Sequence, residues 1–104
     1  MGYEMAMIEF RRTVEFAAFL ADLRDERARA KIAVRLTRLA SGNEGDVKPV
    51  GEGLSELRIN YGPGYRMYFK RRSMRLILLL CAGDKQTQDK DIRLAKRLAL
   101  EMEL

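Results

Sequence analysis

Arg58 and Arg66 flank the turn sequence Tyr61-Gly62-Pro63-Gly64. If Ile59 pairs with Tyr65 across that turn, Leu57 faces Met67 and Arg58 faces Arg66. Like charges directly opposed on one sheet face cost stability. An anion from outside the protein is one way to offset that cost. The other reading is two ordinary surface arginines, with Glu56 neutralising part of the charge; a one-residue slip in register would separate them altogether. The second stretch is GDKQTQDKDI, residues 83–92, which follows an apolar run at 76–82. Read alone it is a helix start: Asp84, Asp89 and Asp91 suit the positive end of the macrodipole, and Thr87 is a good cap. If the apolar run is a central strand beside the strand at 65–71, its end delivers Lys85 and Gln88 to the face that bears Arg58, Arg66 and the Tyr68 phenol. Such a set suits phosphodiester cleavage, in which cations stabilise the pentacovalent phosphate and a lysine or carboxylate moves protons. It equally suits a phosphate-holding surface without chemistry.

A third basic feature lies upstream. At about 100° per residue, Arg24, Arg27, Lys31, Arg35 and Arg38 fall on one helical stripe. A charged stripe is commonly a solvated face, but five cations with no interleaved acid suit contact with phosphates. Tyr68, Lys70 and Gln88 join these as candidate RNA contacts. Lysine and arginine together number 20, against 15 acidic residues, a balance that fits an acidic partner. The chain has no histidine, which excludes imidazole triads and the common zinc sites. No metal site or cofactor is expected. The single cysteine, Cys81, forbids an internal disulfide and reads as a small core residue. No apolar run is long enough to span a bilayer and no leader is evident, so the expectation is a soluble cytoplasmic protein without membrane contact.

The elements that must position these residues follow from periodicity. Residues 5–11 read as a strand. Thr13 caps a helix whose apolar face is Phe16, Phe19, Leu20 and Leu23, and Asp25 caps a second with Ala28, Ile32, Leu36 and Leu39 inward, ended by Gly42 or Asn43. A glycine-rich loop with a short edge strand near 47–50 comes next. Strands are expected at 54–60, 65–71 and 76–81, the last covered on both faces. Asp84 or Thr87 opens a final helix with Ile92, Ala95, Leu98, Ala99 and Met102 inward. The order is βαα, then a β-meander and a helix, in one domain spanning 1–104.

The run GDVKPVGEG, followed by ELRI, YGPGYR and an aliphatic strand ending in GDKQTQDKDI, resembles the RelE/ParE superfamily of toxins from type II toxin–antitoxin modules. It is most similar to the HigB-like "addiction module killer protein" branch. The resemblance covers essentially the whole chain. It implies an α+β fold: an N-terminal strand and helical hairpin packed on a small antiparallel-rich sheet, with a C-terminal helix. It also implies a metal-independent endoribonuclease that enters the ribosomal A site and cuts mRNA with the transcript's own 2′-hydroxyl as nucleophile. The implied partner is a cognate antitoxin, in this branch usually of helix-turn-helix type, with operator DNA reached only through the complex. On the motif, Arg66 contacts the scissile phosphate, Arg58 is the basic residue of the preceding strand, and Lys85 is the cation after the last strand. The stacking tyrosine of RelE is missing from the following helix start, which offers Gln88, Asp89 and Asp91, and Glu56 stands where RelE has another lysine.

The leading expectation is therefore a ribosome-dependent mRNA endonuclease toxin. Arg66 and Arg58 would hold the phosphate, Lys85 would serve as cation or acid, and Asp89 or Asp91 as base or nucleotide contact. One alternative is a ParE-like toxin that inhibits DNA gyrase and cleaves nothing. The other is a non-toxic basic module that binds RNA or a protein.

Overall fold

The computed structural model describes residues 8–103. A short strand β1 (Glu9–Arg12) leads into helices α1 (Val14–Asp22) and α2 (Glu26–Ala40). Four strands follow, β2 (Val47–Gly51), β3 (Leu54–Ile59), β4 (Tyr65–Ser73) and β5 (Leu76–Gly83). A single 3-10 turn, Lys85–Thr87, opens α3 (Gln88–Met102). The strands form one sheet in the order β1-β5-β4-β3-β2. β1 pairs parallel with β5, and the other pairs are antiparallel. This is the α+β architecture expected from the sequence. Among the described residues no helix is long and apolar enough to cross a membrane.

β5 lies second in the sheet and is covered on both faces, which is why its positions are almost all apolar. Its Ile77 and Leu79 face the helical hairpin, where they join Phe16, Ile32, Leu39, Leu57, Ile59, Met67 and Phe69. Leu78, Leu80 and Cys81 face α3, where they pack with Leu54, Tyr68, Ala95, Leu98 and Ala99. A register shift between Tyr68 and Phe69 lets Leu80 and Cys81 turn to the same side.

Caps fix the hairpin. Thr13 Oγ1 accepts from the Phe16 amide at 3.0 Å and donates to the Leu80 carbonyl, so one side chain starts α1 and ties it to β5. Asp25 Oδ1 accepts from the Arg27 and Ala28 amides at 3.0 and 3.1 Å. The Arg29 guanidinium donates back to the carbonyls of Leu20 and Leu23, closing the end of α1.

Two expectations shift. The first strand is seen over Glu9–Arg12 rather than 5–11, and the part at 5–7 lies outside the described residues. Helix α2 begins at Glu26 with Asp25 as cap, so Arg24 sits in the linker and not on the α2 stripe. Asp25 wins the cap because its carboxylate satisfies two orphan amides, a role Arg24 cannot fill.

Candidate phosphate-binding cleft

The β3–β4 hairpin has the register that opposes the two arginines: Ile59 faces Tyr65, Leu57 faces Met67 and Arg58 faces Arg66. On its other side Arg66 pairs with Gly83, the last residue of β5. The turn between β3 and β4 is closed by the Gly64 amide on the Tyr61 carbonyl at 3.1 Å. Gly64 has φ +81, where an L side chain is strained, and it packs close to the Lys85 side chain. Asp84 caps the 3-10 turn, accepting from the Gln86 and Thr87 amides at 2.8 and 3.2 Å, while its own amide donates to Thr87 Oγ1 at 3.2 Å. Strand end, turn and cap thus bring Arg58, Arg66 and Lys85 to one cleft of about 360 Å³, shared with Asp46, Asn60 and Pro63.

The three cations are not equivalent. Arg66 Nε is buried and has no hydrogen-bond partner among the described residues. Among the described residues no carboxylate forms an ion pair with Arg66 or with Lys85. A buried donor left unpaired is costly, and an anion in the cleft would satisfy it. Arg58 is engaged: its Nε and Nη2 donate to Asp46 Oδ1 at 3.2 and 2.8 Å. That hydrogen bond and charge hold the Arg58 guanidinium above its ordinary pKa. Asp46 is itself held by its backbone, whose carbonyl accepts from the Arg58 amide at 2.9 Å and from Arg35 Nη2 at 3.3 Å.

Several expected site residues have other work. Tyr68, expected at the surface, has no exposed area; α3 covers it, and its hydroxyl donates to Glu56 Oε2 at 3.0 Å. Burial, together with that carboxylate, pushes its phenol far above its ordinary pKa. Glu56 is also fully buried and takes a second bond, from Gln88 Nε2 at 2.7 Å. Gln88 is therefore anchored at the helix–sheet junction. Asp91 is buried as well, and its carboxylate accepts from Thr87 Oγ1. A β-carbon at Gly83 would overlap that carboxylate, so the absence of a side chain there lets α3 close on β5. Asp89 is exposed on the first turn of α3 and does not line the cleft. Lys70 lies toward the far end of β4, opposite Leu54, and pairs with Glu103.

The basic stripe is divided in the same way. Arg27, Lys31 and Arg38 line a groove of about 420 Å³ that shares Ile59 and Asn60 with the cleft. Lys31 Nζ sits 5.2 Å from the centre of the Tyr61 ring, whose hydroxyl donates to Asp25 Oδ2 at 3.0 Å. Arg35 lines the groove too, but its guanidinium is turned to the chain: Nη1 donates to the Arg58 carbonyl at 2.6 Å, and Nη2 to the carbonyls of Glu44 and Asp46. Its role is to fasten the 44–46 loop. Arg24, in the linker, does not line the groove.

Sequence reasoning missed Asp46 and Asn60. The signal for Asp46 was the register of β2. Val47 pairs with Leu57, so the residue before it falls level with Arg58, where an opposite charge belongs.

The profile of the family described as Phage derived protein Gp49-like (DUF891) matches residues 18–100. An "Uncharacterized protein" of Haemophilus influenzae is 50% identical over 97 residues, covering 93% of this chain and 98% of that protein. No solved structure matches the chain. The family match takes in the latter part of α1, all of α2, the sheet from β2 to β5 and nearly all of α3, including every residue of the cleft. The chain belongs to the Gp49-like family of phage-derived proteins, a toxin-like family of the RelE kind.

Proposed function

We propose that the protein is the toxin of a type II toxin–antitoxin module, of the HigB-like branch, and that it cuts mRNA on the ribosome. The observation that carries this reading is the cleft in which Arg58, Arg66 and Lys85 meet, with the Arg66 Nε buried and unpaired. Arg66 binds the scissile phosphate and stabilises the charge that grows on it. Lys85, exposed at the cleft edge, is the group placed to protonate the leaving oxygen. The contiguous groove of Arg27, Lys31 and Arg38 carries flanking RNA, and Asp89, on the first turn of α3, is the carboxylate of the helix start left free to meet a nucleotide. The whole chain, 1–104, acts as one cytoplasmic domain. A cognate antitoxin of helix-turn-helix type neutralises it, and operator DNA is met through that complex.

Primer extension on mRNA programmed on ribosomes tests the reading. Wild-type protein should cut within the A-site codon only when ribosomes are present, and Arg66→Ala should abolish the cuts while leaving the fold intact by circular dichroism. Absence of cuts by wild-type protein sinks the nuclease reading and makes gyrase supercoiling the next assay.

A further inference from the structure

We propose that Asp46 is the proton acceptor of the cleft, an assignment that rests on the ribosome-dependent nuclease reading. Asp46 is the one carboxylate among the cleft's described lining residues, which otherwise contribute Arg58, Arg66, Lys85 and neutral groups. Both Arg58 donors fall on its Oδ1. Among the described residues nothing donates to Oδ2, and the side chain keeps 54% of its exposure. The carboxylate is thus anchored through one oxygen and open through the other. Its backbone is pinned by the Arg58 amide and by Arg35, so the loop does not have to move to present it. Glu56 and Asp91, the acids buried where α3 meets the sheet, are bonded internally and unavailable for this role.

The step balances with groups in the cleft. Asp46 Oδ2 takes the proton of a ribose 2′-hydroxyl. The 2′-oxygen attacks the adjacent phosphorus and forms the new P–O bond, while Arg66 and Arg58 hold the non-bridging oxygens. The P–O5′ bond breaks, and the departing 5′-oxygen takes a proton from the Lys85 ammonium. A 2′,3′-cyclic phosphate and a 5′-hydroxyl result, and exchange with water returns Asp46 and Lys85 to their starting forms.

Asp46→Asn tests this, because the amide oxygen can still accept from Arg58 and the loop keeps its backbone bonds. Cleavage rates on programmed ribosomes are measured at saturating protein, beside co-sedimentation with the same ribosomes. The expected result is cleavage slowed by about 10²–10⁴-fold, the usual contribution of a general base, with ribosome binding retained and activity partly restored in Asp46→Glu. Cleavage by Asp46→Asn at the wild-type rate or above would mean that Asp46 only neutralises Arg58, and would overturn the proposal. So would a loss of ribosome binding that accounts for the lost cleavage. A wild-type protein that does not cut removes the nuclease reading itself, and the assignment goes with it.

Discussion

Glu56, Tyr68, Gln88 and Asp91 show how one face of a strand can mislead. Strand alternation puts Glu56 and Tyr68 on the same side as Arg58 and Arg66, and that side is polar in the sequence. What alternation cannot reveal is that α3 lies over it, converting Glu56 and Tyr68 into a buried acid–phenol pair. Cys81 belongs to the same junction: its thiol donates to the Asp91 carbonyl at 3.3 Å, and burial pushes it up to about 12 from an ordinary 9.0. The phenol of Tyr68 is raised in the same sense. The unfolded chain therefore releases these protons first as pH rises, and ionisation favours unfolding. Stability supplied by these groups should be complete below about pH 9 and fall as pH climbs toward 12. Urea midpoints measured from pH 7 to pH 11 should decline over the alkaline part, less steeply in Cys81→Ala; a flat profile in the wild type would refute it.

The elements were legible in proportion to their caps and periodicity. Thr13 and Asp25 start helices as expected, because each has a side-chain oxygen beside an amide with no other partner. Thr13 also donates to β5, a contact no local pattern reveals. Thr13→Ala should thus cost about 2 kcal/mol, the sum of a lost cap and a lost tertiary hydrogen bond, read as a lower urea midpoint with an unchanged m-value. A cost within a few tenths of a kcal/mol would mean that α1 is held by Phe16 burial alone. Arg35 is the opposite case. Its place on the basic stripe was correct, yet its donors are spent on carbonyls of the 44–46 loop and on Arg58. Helical periodicity reports the side of a helix, not what a long side chain finally reaches.

At the scale of the whole molecule, the cleft and the α2 groove form one basic track joined at Ile59 and Asn60. A track of this kind binds phosphates largely through counterion release. On the proposed reading, binding to single-stranded RNA should weaken with salt, with a log–log slope that falls by about 0.7 for each phosphate contact removed. The triple variant Arg27→Gln, Lys31→Gln, Arg38→Gln should accordingly lose roughly 2 units of slope in fluorescence-anisotropy titrations. An unchanged slope would mean that these side chains meet solvent alone.

The sequence by itself determined the order of the elements and both faces of β5, and it offered the register of the β3–β4 hairpin, with the opposition of Arg58 and Arg66, as one reading that the structure then selected. Each is written in local periodicity or in the length of a turn. Only the tertiary structure decided which polar residues of the α3 face are buried, because that depends on where a helix from the end of the chain comes to rest. It also decided which cations are free. Arg35 and Lys70 found internal partners, while Arg66 and Lys85 have none among the described residues. Asp46 entered the cleft for the same reason: its level beside Arg58 is fixed by the pairing of two strands, and no pattern within either strand carries that information.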